Sequence, residues 1–351
     1  MTAASGMHVR DSEAADLDTG RADVRPVLRR LGQLGLFGEA DADPVDELLP
    51  SVRLIRELAS VSLAAAFSAW SQRMVVEYLR YSPPPGSGAG LAEVLRTGEV
   101  PGASALAPAV SALAGSGEVP LVATPDGDGW RLSGRIGWAS NLFDDAVVVT
   151  SARAPDEGRL VVLFRRTAAG VTASPLHDLL GLNGTGTGAL DLHGVAVGPG
   201  QVLSDDLADF MALCRPAMLL HQSALALGLA DAALDQVATR LTGVNARHRP
   251  EHEELSARRD DLAVRLEDQA GSQVGIAPGD LARVRLAAMD VAARAVRLDS
   301  AASGSAGYLA GSSTARRVRE AAFLPVQAPT EAQLRAEVAA AERAAADGAA
   351  G

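Results

Sequence analysis

Few side chains among these 351 residues have types and spacing that suggest chemistry. In the stretch GDGWRLSGRIGWASN, Trp138 and Ser140 stand one residue apart after a strand-like run. An indole face stacks on apolar heterocycles, and a neighbouring hydroxyl can bond a ring heteroatom. The same pair would serve as a core filler and a turn hydroxyl. His221 lies in the apolar run AMLLHQSALALGLADAAL; its imidazole titrates near neutrality, yet a core histidine would look the same. Cys214 is the only cysteine, which excludes an internal disulfide and any cysteine metal cluster. Its thiol becomes reactive only where positive surroundings lower its pKa; otherwise it is a buried bystander. Of the six histidines only His248 and His252 stand four apart, with Pro250 between them, and the acids do not cluster in a known loop, so no metal is expected.

The elements that must position these residues follow from pattern. Residues 1–22 are polar and without period, which predicts a disordered tail. Residues 23–100 show helical spacing, with Val27, Leu28, Leu31, Leu34 and Leu36 on roughly one face, and SPPPGSGAG (82–90) forbids continuation before a last helix-like piece. Residues 101–205 hold short β-branched runs bounded by turn residues, among them VPLVAT, DAVVVTSA and RLVVLFRR, which predict an antiparallel β-domain. Residues 206–346 return to long Ala/Leu/Arg-rich helical segments interrupted near 243–252 and 271–279. The expected class is therefore α+β, helical, then β, then helical. A net charge of −11 opposes nucleic acid and anionic membranes as partners. The run 217–234 is broken by His221, Gln222 and Asp231, so it reads as a buried helix and no membrane span is expected. MTAASGMHVRDSEAAD lacks the order of a secretory signal, which makes the cytoplasm the expected compartment. Wide apolar faces on LARVRLAAMDVAARAVRLDSA and ALALGLADAAL predict a homodimer or homotetramer.

This layout resembles that of the acyl-CoA dehydrogenase superfamily over nearly the whole chain. Four local stretches carry the resemblance. GDGWRLSGRIGWASN is similar to the family's strand-turn-strand, with Trp138 and Ser140 on the flavin-facing positions. GLNGTGTGALDLHGVAVGPGQVL (181–203) is similar to the segment that closes the β-domain, with Thr185 and Thr187 in register. CRPAMLLHQSALALGLADAALD resembles the long helix opening with Arg-Pro, here Arg215 and Pro216. SGSAGYLAGSSTARRVREAAFLPVQAPT (303–330) resembles the G-G-x-G-Y…E-G-T segment, with Gly307, Tyr308, Arg319 and Thr330 in place.

The resemblance implies an N-terminal helical domain, a central β-barrel-like domain and a C-terminal four-helix bundle. It implies a flavoprotein oxidoreductase acting on the CH–CH group of an acyl-CoA, with FAD as cofactor and FMN as the variant. Trp138, Ser140, Ser116, Arg215 and Thr330 are its implied cofactor-binding residues. The chain departs from the pattern where a base is needed to take the α-proton: Ala328 stands in place of the family's usual Glu, and Cys214 in place of the alternative one. Glu331, nearly one helical turn on, and His221, in the helix that borders the family's active site, are the candidate catalytic bases. Glu331 is equally a solvated acid in a first helical turn. The flavin loop T-E-P-G-x-G-S-D is reduced to Ser111, Gly115, Ser116 and Gly117, and the R-x-x-F-G turn to Arg240, Arg247 or Arg249 in a displaced register. Three functions remain open: a dehydrogenase with a relocated base, a flavin monooxygenase of the same fold that needs none, and a non-catalytic partner chain of a heteromeric enzyme.

Overall fold

A computed structural model describes residues 9–39, 44–81, 88–155, 157–175, 178–272, 276–277 and 279–350 of the chain. The first helix, α1 (Asp11–Thr19), corrects the expectation of a disordered tail for residues 9–22, while residues 1–8 lie outside the described residues. Ala14 and Leu17 are fully buried, and the buried carboxylate of Asp18 accepts from Arg319 Nε at 2.9 Å. Tertiary contacts thus order a segment whose own composition is too polar to fold alone. α2 (Arg25–Gln33) buries Val27, Leu28 and Leu31. α3 (Pro44–Val61) and α4 (Leu63–Arg80) are separated at Ser62, whose hydroxyl caps α4 by accepting from Ala65 N at 3.3 Å. Of the proline–glycine segment, 82–87 lie outside the described residues, and α5 (Gly88–Arg96) follows.

The centre of the chain forms one eight-stranded sheet. In chain order it comprises β1 (Gly102–Ala105), a short helix α6 (Ala107–Leu113), β2 (Val122–Asp126), β3 (Gly129–Ala139), β4 (Val147–Arg153), β5 (Arg159–Arg165), β6 (Val171–Pro175), β7 (Gly188–Val197) and β8 (Val202–Ser204). The spatial order is β6-β7-β3-β2-β4-β5-β8, with β1 beside β4. Pairing is antiparallel except where β4 meets β1 and β2. Strands β4 and β5 are buried along nearly their whole length because both their faces are covered. Val147, Val149, Val161 and Leu163 join the helical core, while Val148, Val162 and Phe164 join a second core within the sheet.

Beyond the sheet lie α7 (Leu207–Ala238), a 3₁₀ turn at Gly243–His248, α8 (Arg249–Ser272), α9 (Asp280–Gly307), α10 (Ser313–Phe323) and α11 (Glu331–Ala350). Asp206 caps α7 by accepting from Ala208 N at 2.9 Å and Asp209 N at 3.0 Å. α7 is long and apolar enough to cross a membrane, but it is buried within the protein, packed between α9 and α3. Gly228 makes the α3 contact possible: a Cβ there would lie 2.2 Å from Arg56 O. The apolar faces of α7 and α9, read from sequence as subunit interfaces, are largely spent on each other. Helices, sheet and helices follow in the order expected for the α+β class.

Candidate functional site

Trp138 owes its position to a fault in the β3–β7 ladder. Ile136 pairs with Leu190 and Ala139 with Gly188, so β3 carries one residue more than β7 over this interval. Such a bulge breaks the alternation of side chains. Ile136 and Ala139 both stay in the sheet's core, while Trp138 between them is turned outward and is 62% exposed.

The residues that follow fix the turn. Asn141 adopts the left-handed region at φ 60°, which asparagine tolerates better than most residues. Its side-chain amide donates to Ser68 O at 2.9 Å and Gly102 O at 3.0 Å. Its backbone N–H donates to Thr185 O at 2.8 Å, and that of Leu142 to Gly186 O at 3.1 Å. Only glycine suits position 186, where φ is 60° and a Cβ would lie 2.7 Å from the Phe143 ring. These bonds bring three hydroxyls into line. Ser140 Oγ lies 2.7 Å from Thr187 Oγ1, which lies 2.7 Å from Thr185 Oγ1.

Trp138, Ser140, Thr185 and Thr187 form one side of a cavity of about 650 Å³. The lining also carries an aromatic cluster. Phe67 of α4 stacks on Trp70 with ring centroids 5.2 Å apart and meets Phe323 of α10 edge-on at 4.7 Å. Leu180 and Val326, both largely exposed, add an apolar rim to that of Trp138. Tyr78 and Arg319 are the ionisable side chains among the described lining residues, which include no carboxylate and no imidazole. The Tyr78 hydroxyl lies 3.0 Å from Ser104 Oγ and burial pushes its pKa up, so it stays protonated. Arg319 is engaged by Asp18.

The segment between α10 and α11 supplies Gln327, Ala328 and Thr330 to the cavity and is pinned from behind. Arg285 on α9 donates from Nη1 to Pro329 O at 2.8 Å and from Nη2 to Gln327 O at 3.1 Å. Gln222 on α7 donates to Ala328 O at 2.9 Å, so three successive carbonyls are held. Burial, then the charge of Arg215, lowers Arg285 to about 9. The side-chain amide of Gln327 and Trp70 Nε1 are buried without a hydrogen-bond partner in the cavity wall. Thr330 opens α11, its N–H donating to Gln333 Oε1 at 2.8 Å. The Gln333 amide donates to Ser111 Oγ at 3.1 Å and Ser116 Oγ at 2.9 Å, joining Thr330 to α6 and the loop after it. Sequence reasoning passed over Gln333, although T-x-x-Q before a helical run is the signal of a capping box.

Neither candidate base belongs to the cavity lining. Glu331 accepts from Arg335 Nε at 2.9 Å and Nη2 at 2.7 Å, an i,i+4 pair on the exposed side of α11. The Nε2 of His221 lies 2.7 Å from Ser51 Oγ, deep between α7 and α3. Burial, then the charge of Arg73, pushes it down to about 3, so the imidazole is neutral and shut away from any ligand in the cavity. Cys214 is likewise buried, and burial followed by the charge of Glu77 raises its thiol, which stays protonated. Arg215 pairs with Glu337 of α11 and does not line the cavity. Arg240 reaches toward Asp299 at 3.7 Å and Arg249 donates to Leu241 O at 3.3 Å, so both are occupied locally.

No protein-family model matches the chain, and no curated protein matches it. Solved structures do. A glutaryl-coenzyme A dehydrogenase in complex with glutaryl-CoA is similar with a TM-score of 0.85 at 19% identity, over 95% of this chain and 91% of that one. Butyryl-CoA dehydrogenase from Megasphaera elsdenii gives 0.82 at 17% identity, over 94% and 93%. A glutaryl-CoA dehydrogenase from Mycobacterium smegmatis in complex with FADH2 gives 0.77 at 18% identity, over 90% and 85%. The chain has the acyl-CoA dehydrogenase fold.

Proposed function

We propose that this chain is a flavin-dependent oxidoreductase whose cavity takes the ring end of FAD beside an apolar substrate of the acyl-thioester class. The observation that carries the reading is Trp138, an exposed indole thrown out of its ladder by a bulge and set beside the fixed hydroxyl of Ser140. These residues suit a flat, largely apolar heterocycle. Trp138 offers a stacking face, Ser140 a contact for a ring heteroatom, and Thr330 and Ser111 further hydroxyls, whereas Ser116 is outside the lining and is held by Ser111 O and Gln333. Phe67, Trp70 and Phe323 would exclude water and take an apolar chain. A bound flavin supplies a two-electron acceptor. The solved structures holding glutaryl-CoA and FADH2 support the substrate and cofactor classes.

Dehydrogenation of an acyl thioester also needs a base, and the described cavity lining contains neither carboxylate nor imidazole. That observation favours a second reading, a monooxygenase of the same fold, whose chemistry takes no α-proton. The deciding experiment is an absorption spectrum of the full chain reconstituted with FAD and with FMN, followed by anaerobic addition of an acyl-CoA panel. Bleaching by an acyl-CoA supports the dehydrogenase, and bleaching only by an external reductant supports the monooxygenase. No flavin bands under any condition would leave a non-catalytic partner chain. Trp138→Ala is expected to weaken flavin binding about tenfold, and Ser140→Ala to weaken binding of reduced flavin about tenfold, one contact's worth of free energy each. Unchanged affinity in both would sink the assignment.

A further inference from the structure

The hydroxyls of Ser140, Thr187 and Thr185 have a direction as well as a position. Each carries one proton. Thr185 Oγ1 lies 2.8 Å from Leu182 O, and a carbonyl only accepts, so the Thr185 proton points there. Thr187, 2.7 Å from an oxygen whose proton is already committed, must donate to it. Ser140 must then donate to Thr187, again across 2.7 Å. The far end of this relay is held in place. Leu182 sits at φ 60°, a conformation unfavourable for a bulky side chain. It is kept there by its N–H donating to Asp18 Oδ1 at 3.2 Å. The proton of Ser140 is therefore used within the protein, and its oxygen offers the cavity only lone pairs.

We propose that the Thr185–Thr187–Ser140 relay makes Ser140 an obligate hydrogen-bond acceptor, so that the site holds reduced flavin more tightly than oxidised flavin. The inference rests on the flavin reading above. Reduced flavin carries a ring N–H at the central ring where oxidised flavin carries a bare nitrogen. The N–H complements the lone pair of Ser140; the bare nitrogen sets acceptor against acceptor, unless the whole relay reverses and gives up the Thr185–Leu182 bond. One hydrogen bond of difference corresponds to about tenfold in relative affinity. For a two-electron couple that is about 30 mV in midpoint potential. Thr185 and Thr187 are positioning residues here, acting through Ser140.

The test measures the dissociation constants of oxidised and dithionite-reduced FAD under anaerobic conditions, and the midpoint potential against a reference dye. It compares the full wild-type chain with Thr185→Val, Thr185→Ser and Ser140→Ala. In Thr185→Val the Thr187 proton loses its acceptor and can turn to Ser140, which frees the Ser140 proton for the ligand. The wild type is expected to prefer reduced FAD about tenfold over Thr185→Val and Ser140→Ala, with Thr185→Ser restoring the preference. Equal preference in wild type and Thr185→Val, with FAD bound in both states, overturns the relay while leaving the flavin reading intact. FAD bound in neither state overturns both.

Discussion

Trp138, Ser140 and His221 show what a residue's type can and cannot disclose. Indole and hydroxyl act through whatever face they present, so their spacing left two roles open, and the resemblance was needed to point to the pair that lines the cavity. The bulge that presents them was not legible, because register depends on β7, some fifty residues away. His221 has the right chemistry in the wrong surroundings: an all-round apolar helix does not reveal in its sequence which turn faces a ligand and which is sealed. Its burial has a measurable consequence. The native pKa is about 3 against 6.5 for the free side chain, so below pH 6.5 the unfolded chain takes up a proton that the native chain refuses. Stability is then fully present above pH 6.5 and falls as the pH drops toward 3, by a few kcal/mol at most in this range. Urea unfolding at pH 7, 5.5 and 4 is expected to show His221→Gln losing less stability over this interval than the wild type. Parallel losses would show that His221 is not the group responsible.

At the scale of elements, α1 is the clearest departure from pattern. A nine-residue helix with Ala14 and Leu17 as its buried apolar residues carries no periodic signal, and its order comes from elsewhere in the chain. Asp18 receives Arg319 from α10 and the N–H of Leu182 from the loop behind the cavity, two partners far apart in sequence. Removing residues 1–22 would expose what Val9, Ala14 and Leu17 cover and leave Arg319 unpaired, a loss on the order of 3–5 kcal/mol. A lower urea midpoint for the truncated chain is the expected result; an unchanged midpoint would restore the reading of these residues as a dispensable tail. Asp18→Asn alone is expected to weaken the Arg319 pair and reach the cavity through Leu182. The long helices of the C-terminal half were, by contrast, legible, since their length and apolar content exceed any local ambiguity. The segment 327–330 lay between these extremes: its lack of a carboxylate was plain from Ala328, but the buried Arg285 and Gln222 that immobilise it belong to helices whose packing the sequence does not display.

For the whole molecule, the question is what covers the apolar surface that remains. The faces of α7 and α9 that suggested subunit contacts are largely packed within the chain, and exposed apolar side chains nearby remain for an assembly. Tyr308 is 93% exposed and Leu309 67%, adjacent at the end of α9, with Val318 of α10 also exposed. Side chains of this size left in water are enriched where proteins meet. A net charge of −11 spread over each copy would oppose association unless the contact is apolar at its centre. We therefore expect a homodimer or homotetramer joined through this end of α9, with a mass by light scattering that is a multiple of 36.0 kDa. Because Tyr308 is almost wholly outside the chain's own core, Tyr308→Asp should shift the mass toward a single chain without lowering the unfolding midpoint of the dissociated form. A wild-type mass of one chain at micromolar concentration would remove the assembly altogether. A multimer indifferent to Tyr308→Asp would keep the assembly but move its interface away from α9.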